Sequence, residues 1–453
     1  MDSTRIIAAV ALAGSTFFLM DAWNKAQRPH AVDTTGPNTV VAASPSAASQ
    51  SAVATSSVQT SNALVKGHRV SVKTDLLSAE IDTAGGDLRR VELLSHRDTF
   101  DRTKGFVLVK DDAESLFVVQ TGMAGENVPN HNSMYREESS AYSLKDGQDR
   151  LEVRFKSDET GGLQLTKTYE FMRGSYVVHV GLEVTNKTGQ AQTPVAYFQF
   201  LRDSAVAAGE SSMVPTFTGV GIYTDETKYT KLSFSDLDKG KADYPQHADN
   251  GWIGFVQHYF VGAWIPDPKV SRDYYAQGLG KGLYRAGFKL TGPSVESGHS
   301  VIFKAPVYVG PQEQEKISSL ATGLELTVDY GWLTVIAKPL FSVLSAIHKL
   351  IGNWGLAIIV LTVLIKAVFY PLSAASYRSM AKMRVLAPKM QKLKDQHGQD
   401  RQKMQQAMME LYKKEKINPF GGCLPIVVQI PVFLALYWAV SYTHLTLPTI
   451  LRV

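Results

Sequence analysis

A single cysteine, Cys423, stands in 453 residues. No intrachain disulfide can form, and cysteine pairing gives no indication of compartment. Metal-ligand spacings are missing as well. His68, His96, His131, His179, His247, His258 and His299 are scattered, with no two at a spacing that brings them together on one element, which makes them surface or core residues rather than ligands. There is no nucleophile elbow and no phosphate-binding glycine loop, so the usual signatures of hydrolytic and nucleotide-dependent chemistry are lacking. Internal repeats of the kind that build many transporters are also absent. A large excess of one charge is missing too: 47 Lys and Arg face 42 Asp and Glu, a net charge of +5.

That near balance conceals a local imbalance. From Arg378 to Lys416 there are 11 basic residues against 4 acidic ones, which leaves the rest of the chain slightly negative. A nucleic-acid binder would spread its basic charge over a folded face. Here the charge sits between two apolar runs, as the positive-inside rule requires of a cytoplasmic loop. The first of these runs carries a lone cation, Lys366. An ionisable group in a span costs roughly 2.5 to 3.5 kcal/mol on insertion scales and marks a functional site by default.

The amino terminus, residues 1–25, reads as a signal anchor. Arg5 precedes the apolar stretch Ile6 to Met20, no small-x-small cleavage site follows, and Trp23 suits an interfacial position. This orientation puts the amino terminus in the cytoplasm. Residues 26–62, rich in Ala, Ser, Thr, Val and Pro, form a disordered tether unable to bury enough surface to order itself.

Residues 63–325 alternate apolar and polar positions over short segments. Leu151, Val153 and Phe155 form one set, Leu163, Leu165, Tyr169 and Phe171 the next, then Tyr176, Val178, Val180, Leu182 and Val184. Turn clusters such as Thr83 to Asp87 separate such segments. This is the pattern of half-buried antiparallel strands, forming one large sandwich or two fused sheets outside the membrane.

Residues 332–350 repeat apolar side chains at Ile336, Leu340, Leu344 and Ile347, with Lys338, Ser342, Ser345 and Lys349 opposite. An amphipathic helix feeding a span is expected to lie in the outer interface; packing against the β domain is the alternative. Residues 353–372 are the second span, running inward. Lys366 lies five residues before Pro371, about 7.5 Å along the helix, with Thr362 one turn earlier on the same face. Together they make a polar stripe that suits a water-accessible cavity, or a lysine that snorkels to nearby headgroups.

Residues 373–421 read as a basic helical hairpin. Met383, Leu386, Met390 and Leu393 on one arm and Met404, Met408 and Leu411 on the other form seams, with a break at Gln396 to Asp400. Its cations include Arg378, Lys382, Arg384, Lys389, Lys392, Lys394, Arg401 and Lys403. Residues 423–440 are the third span. Gln429 makes it polar at one point, and Pro425 and Pro431, like Pro371 before them, are expected kinks.

At these residues the chain resembles a known family. Asn353-Trp354-Gly355, Tyr370-Pro371-Leu372, Ser379 to Arg384, Asn418 to Pro425 and Gln429 to Tyr437 resemble the signature stretches of the YidC family of membrane protein insertases. Asp21-Ala22-Trp23, Thr74-Asp75 and Gly85-Gly86-Asp87 are similar to the Gram-negative members with a large periplasmic domain. The resemblance implies an α-helical transmembrane bundle, incomplete here, plus a periplasmic all-β super-sandwich, in the bacterial inner membrane. It also implies an insertase that is not an enzyme, needs no cofactor, and helps nascent membrane proteins enter the lipid bilayer through a positively charged groove in the inner leaflet.

Lys366 falls where relatives usually carry Arg, with Thr362 and Gln429 at polar groove positions. Lysine keeps the charge but loses the planar fork for bidentate capture of a carboxylate. By resemblance the hairpin meets the ribosome, the targeting receptor or the substrate, and the Sec translocon is a partner. Residues 441–453 depart from the pattern, so a C-terminally truncated chain that is not itself a competent insertase is expected. A small-solute transporter using Lys366, or a carbohydrate-active periplasmic enzyme with a convergent His and carboxylate, are the alternatives.

Overall fold

The structure is a computed structural model that describes residues 64–98, 101, 103–112, 115–205, 217–328, 333–397, 401–414 and 424–443. The anchor and tether expected over residues 1–62, the Asn418 to Cys423 motif and residues 444–453 lie outside the described residues.

Among the described residues, alternation of side chains builds two sheets, one of ten strands and one of nine. In the first, Arg69–Lys73, Leu77–Asp82, Asp87–Arg97, Gly105–Asp111 and Leu116–Met123 follow one another antiparallel. Val195–Asp203, Leu283–Thr291 and Arg272–Gly280 extend it beyond Leu116–Met123. The second runs Arg150–Ser157, Leu163–Met172, Val177–Asn186, Ser300–Pro311, Phe260–Trp264, Trp252–Gln257, Gly219–Thr224 and Lys228–Leu232. Register is uniform where alternation is strict: Val178 faces Phe171, Val180 faces Tyr169 and Val184 faces Leu165. The inner faces share one core, in which Phe198 of the first sheet meets Trp264 of the second edge-on at 5.2 Å.

Within that core one apolar slot holds a cation. Leu163, Leu165, Lys167, Tyr169 and Phe171 all point inward along one strand. The fully buried Lys167 ammonium crosses to the opposite sheet. There it donates to the carbonyls of Gly85 and Thr121, the latter at 2.6 Å, and lies 3.6 Å from Asp87 Oδ1. The Gly85-Gly86 turn that presents the first of these acceptors has φ of 87° and 55°, and a Cβ on Gly85 would fall 2.6 Å from both Asp87 Oδ2 and the His131 carbonyl.

Ion pairs extend the cluster. Arg89 lies 3.5 Å from Asp87 and 3.2 Å from Asp111, and Arg69 joins Asp111 to Asp82 at 2.8 and 2.9 Å. Burial lowers the Lys167 ammonium to about 8 against the opposing pull of Asp87, and burial raises the Asp87 carboxyl. Burial, together with Lys167 and Arg89, lowers His131 to about 4.

Two short helices, α1 (Phe234–Asp238) and α2 (Gln314–Ser318), interrupt and close the β domain. Then come α3 (Thr334–Ile351), α4 (Trp354–Val368), α5 (Tyr370–His397), α6 (Arg401–Lys414) and α7 (Leu424–Thr443). The apolar stripe of α3 is covered by protein: Leu340, Leu344 and Ile347 pack with α4 and α7, while Ala337 joins the β-domain core. Val335 and Leu350 on its other side are 84% and 88% exposed. At 18 residues, α3 is long and apolar enough to cross a membrane.

The span expected over 353–372 is divided. α4 ends at Val368, α5 starts at Tyr370, and the two meet at 58°. Fifteen residues make α4 about 22 Å long, short of the ~30 Å hydrocarbon core; the bent pair passes as one span by length and composition.

Candidate functional site

The site is built from the start of α4. Gly352, with φ of 74°, closes α3, and Asn353 caps α4 by accepting the Leu356 N–H at 3.1 Å. At this corner the His348 and Trp354 rings stack with centroids 3.9 Å apart. Ala357, Leu361 and Ile365 then recur every four residues as the buried row of α4, packed with Leu344 of α3 and Val432 and Leu436 of α7. The neighbouring row is Ile358, Thr362 and Lys366, half-buried at its start and exposed at its end. Lys366 therefore stands at the border of the packed face rather than within it.

The Thr362 hydroxyl donates to the Ile358 carbonyl at 2.7 Å, so its proton is committed to its own helix. Lys366 Nζ lies 5.3 Å from the centroid of the Phe433 ring on α7, within cation–π range. Among the described residues no carboxylate lies within ion-pairing distance of Lys366. Gln429, half-exposed, precedes Phe433 by one turn on the same face of α7. Phe433, 39% exposed, is the member that sequence reasoning missed. Its signal was the four-residue step from Gln429, lost among apolar neighbours.

Of the three prolines expected as kinks, two stand at helix starts. Pro371 is the second residue of α5, just past the bend at Phe369. Pro425 is the second residue of α7, in a first turn where the missing N–H was unpaired anyway; it begins the helix rather than kinking it. Pro431 lies inside α7, and helical structure continues through it, as it does through Pro388 in α5.

In the hairpin, Met383, Met390, Leu393, Met404, Met408 and Leu411 are half-buried and Leu386 is buried. The Tyr412 hydroxyl reaches Met390 Sδ across the seam at 3.6 Å. Arg378, Lys382, Arg384, Lys389 and Lys392 on α5 and Lys403 on α6 are exposed. The side chains of Lys394 and Arg401 lie outside the described residues.

Away from the buried row, α4 exposes Leu356, Ile359, Val363 and Val368 at 52 to 74%, and α7 exposes Ile426 and Ile430 at 61% and 50%. Contiguous apolar helix surface of this extent belongs in lipid. Together with the two-sheet domain it defines a class: a membrane protein with a helical bundle and a large all-β extramembrane domain.

Comparison with known proteins narrows the class. Residues 69–343 match the YidC periplasmic domain family and residues 346–449 match the 60Kd inner membrane protein family. The second match extends past the Val440 limit at which the motif resemblance stopped.

A membrane protein insertase YidC of Nitrosospira multiformis is 47% identical over 97% of this chain and 81% of its own length. Its counterpart in Methylobacillus flagellatus is 49% identical over 97% and 80%. A solved structure of an active YidC insertase with its first transmembrane domain resolved matches 85% of this chain and 74% of that one, at 16% identity and a TM-score of 0.33. The chain belongs to the YidC family of membrane protein insertases. The names of these relatives describe insertases rather than enzymes.

Proposed function

We propose that the face bearing Lys366, Phe433 and Gln429 is where a nascent membrane protein's polar or acidic flank is received while its apolar helix moves sideways into lipid. The observation that carries this reading is an exposed ammonium beside packed apolar helices, with no carboxylate within ion-pairing distance among the described residues. Such a cation attracts an incoming carboxylate and lowers the cost of bringing polar groups into the apolar zone. No bond is made or broken.

In the accompanying topology the amino terminus is cytoplasmic and the β domain periplasmic. The α4–α5 pair enters from outside, the α5–α6 hairpin lies in the cytoplasm, and α7 returns. Of two placements for α3, crossing the membrane or lying at its outer surface, we favour the outer surface, because its apolar stripe is already covered by α4, α7 and the β domain. The exposed cations of the hairpin would meet the ribosome or a targeting receptor, and the Sec translocon is the proposed partner for larger substrates.

The test is insertion of a single-span substrate with an acidic flank. Lys366→Arg should insert normally, and Lys366→Glu should reduce the inserted fraction about tenfold, the effect of roughly one unfavourable charge contact. Normal insertion by Lys366→Glu would overturn the role of this charge.

A further inference from the structure

The tight turn between the paired residues Gln257 and Phe260 consists of His258 and Tyr259. Tyr259 has φ of 71°, a conformation bulky residues avoid and one that turns normally give to glycine or asparagine. Strain of this kind persists where the surroundings hold it and points to a use for the residue. The surroundings here are twofold. The Tyr259 carbonyl accepts the Gln312 N–H at 2.8 Å, which ties the turn to the end of a neighbouring strand. The His258 ring meets Trp438 of α7 edge-on, with centroids 6.3 Å apart and planes at 89°.

One turn before Trp438, Ala435 is fully buried, and with Ala337 of α3 it belongs to the same apolar cluster as the β-domain core. The β domain thus touches the far half of α7, while Phe433 in its near half lies beside Lys366 and Gln429 precedes Phe433 by one turn.

We propose that His258 and Trp438 are positioning residues: through this turn the β domain sets the rotation and depth of α7, and so the placement of Phe433 and Gln429 opposite Lys366. The consequence for insertion rests on the reading of that face given above; the contact does not.

The experiment uses the full chain in membranes with Cys423→Ser. Gln429→Cys reports α7 placement through the rate at which a maleimide modifies the introduced thiol, and insertion of an acidic-flanked substrate reports function. His258→Ala and Trp438→Ala should each slow insertion about two- to tenfold, the range for one aromatic contact, and each should change the rate of thiol modification. The double variant should be no worse than the worse single, and Trp438→Phe should restore both readouts.

Additive losses, or an unchanged rate of thiol modification, would overturn the proposal. If His258→Ala strips the β domain of its protease resistance, Trp438→Ala decides alone, because Trp438 lies outside the strands. If Lys366→Glu inserts normally while Trp438→Ala still alters the modification rate, the charge reading has failed and the positioning contact stands.

Discussion

The β domain and the helical segment each place a lysine against apolar surroundings, and they treat it in opposite ways. Lys167 is fully buried and satisfied within the fold, by two carbonyls from the facing sheet and the Asp87 carboxylate. Lys366 is exposed at the edge of a helix pair, over an aromatic ring. The first charge fastens one sheet to the other; the second is exposed, with no carboxylate within ion-pairing distance among the described residues. The same side chain is locked into the structure or left open to solution and lipid according to whether the fold closes partners around it.

The largest effect that would break this contrast is on stability. Lys167→Met leaves Asp87 buried with only Arg89 to balance its charge and Gln120 to hydrogen-bond it, and it should destabilise the β domain by roughly 3–5 kcal/mol, the usual consequence of removing one partner of a buried pair. Lys366→Met should leave β-domain stability within about 0.5 kcal/mol. Denaturant unfolding followed through the buried Trp252 and Trp264 measures both. Equal effects would abolish the distinction. Adding Asp87→Asn to Lys167→Met should recover part of the loss, since the stranded charge goes while the Gly85 and Thr121 carbonyls stay short of a donor.

A smaller effect sharpens the same contrast through pH. The Lys167 ammonium is lowered to about 8 in the fold from an ordinary 10.5, so between those values the unfolded chain binds the proton more strongly, and rising pH favours the folded state. Relative to the Asp87→Asn, Lys167→Met double variant, the wild type should gain about 1.4 kcal/mol per pH unit across that window. Asp87, raised by burial, acts oppositely on the acid side: its contribution is lost as pH rises from 3.8 through its folded value. His131, lowered from 6.5 to about 4, gives stability that is present above 6.5 and lost as pH falls toward 4. Thermal unfolding of both chains from pH 4 to 10 checks all three signs. A flat difference above pH 8 would mean that Lys167 is not held in an apolar site.

These two lysines also mark what could be read from the chain. Leu163, Leu165, Tyr169 and Phe171 announce a strand with one buried face. Lys167 shares that face, but a cation in a core slot makes sense only once Gly85, Asp87 and Thr121 arrive from far away in the sequence. The place of Lys366 on an apolar helix was legible because a single charge breaks an apolar run. Phe433 was not, because an aromatic side chain in such a run looks like its neighbours. The stripe of α3 predicts a buried face, yet nothing in its spacing says that α4, α7 and the β domain, rather than lipid, would cover it. The methionine seams of the hairpin were legible because they join helices adjacent in sequence. The break at Phe369 was not, since apolar character continues on both sides.

The smallest effect concerns how the helix bearing Lys366 begins. Asn353 is extended, and its side chain accepts the Leu356 N–H, satisfying one of the donors that a helix start leaves unpaired. Asn353→Ala should cost about 1 kcal/mol of local helix stability and Asn353→Asp almost nothing, because a carboxylate both accepts the same bond and favours the positive end of the helix. The His348–Trp354 stack holds the same corner from the other side, so the loss should show as fraying of the first turn rather than displacement of the whole helix. Amide exchange over 353–357 is the measurement: faster exchange confined to those positions in Asn353→Ala, with Leu361 and Ile365 protected, is the expected result. If exchange accelerates as far as Lys366, the corner sets the face that carries Lys366 as well as the start of the helix, and the contrast between a closed β domain and an outward-facing helical segment then depends on this one cap.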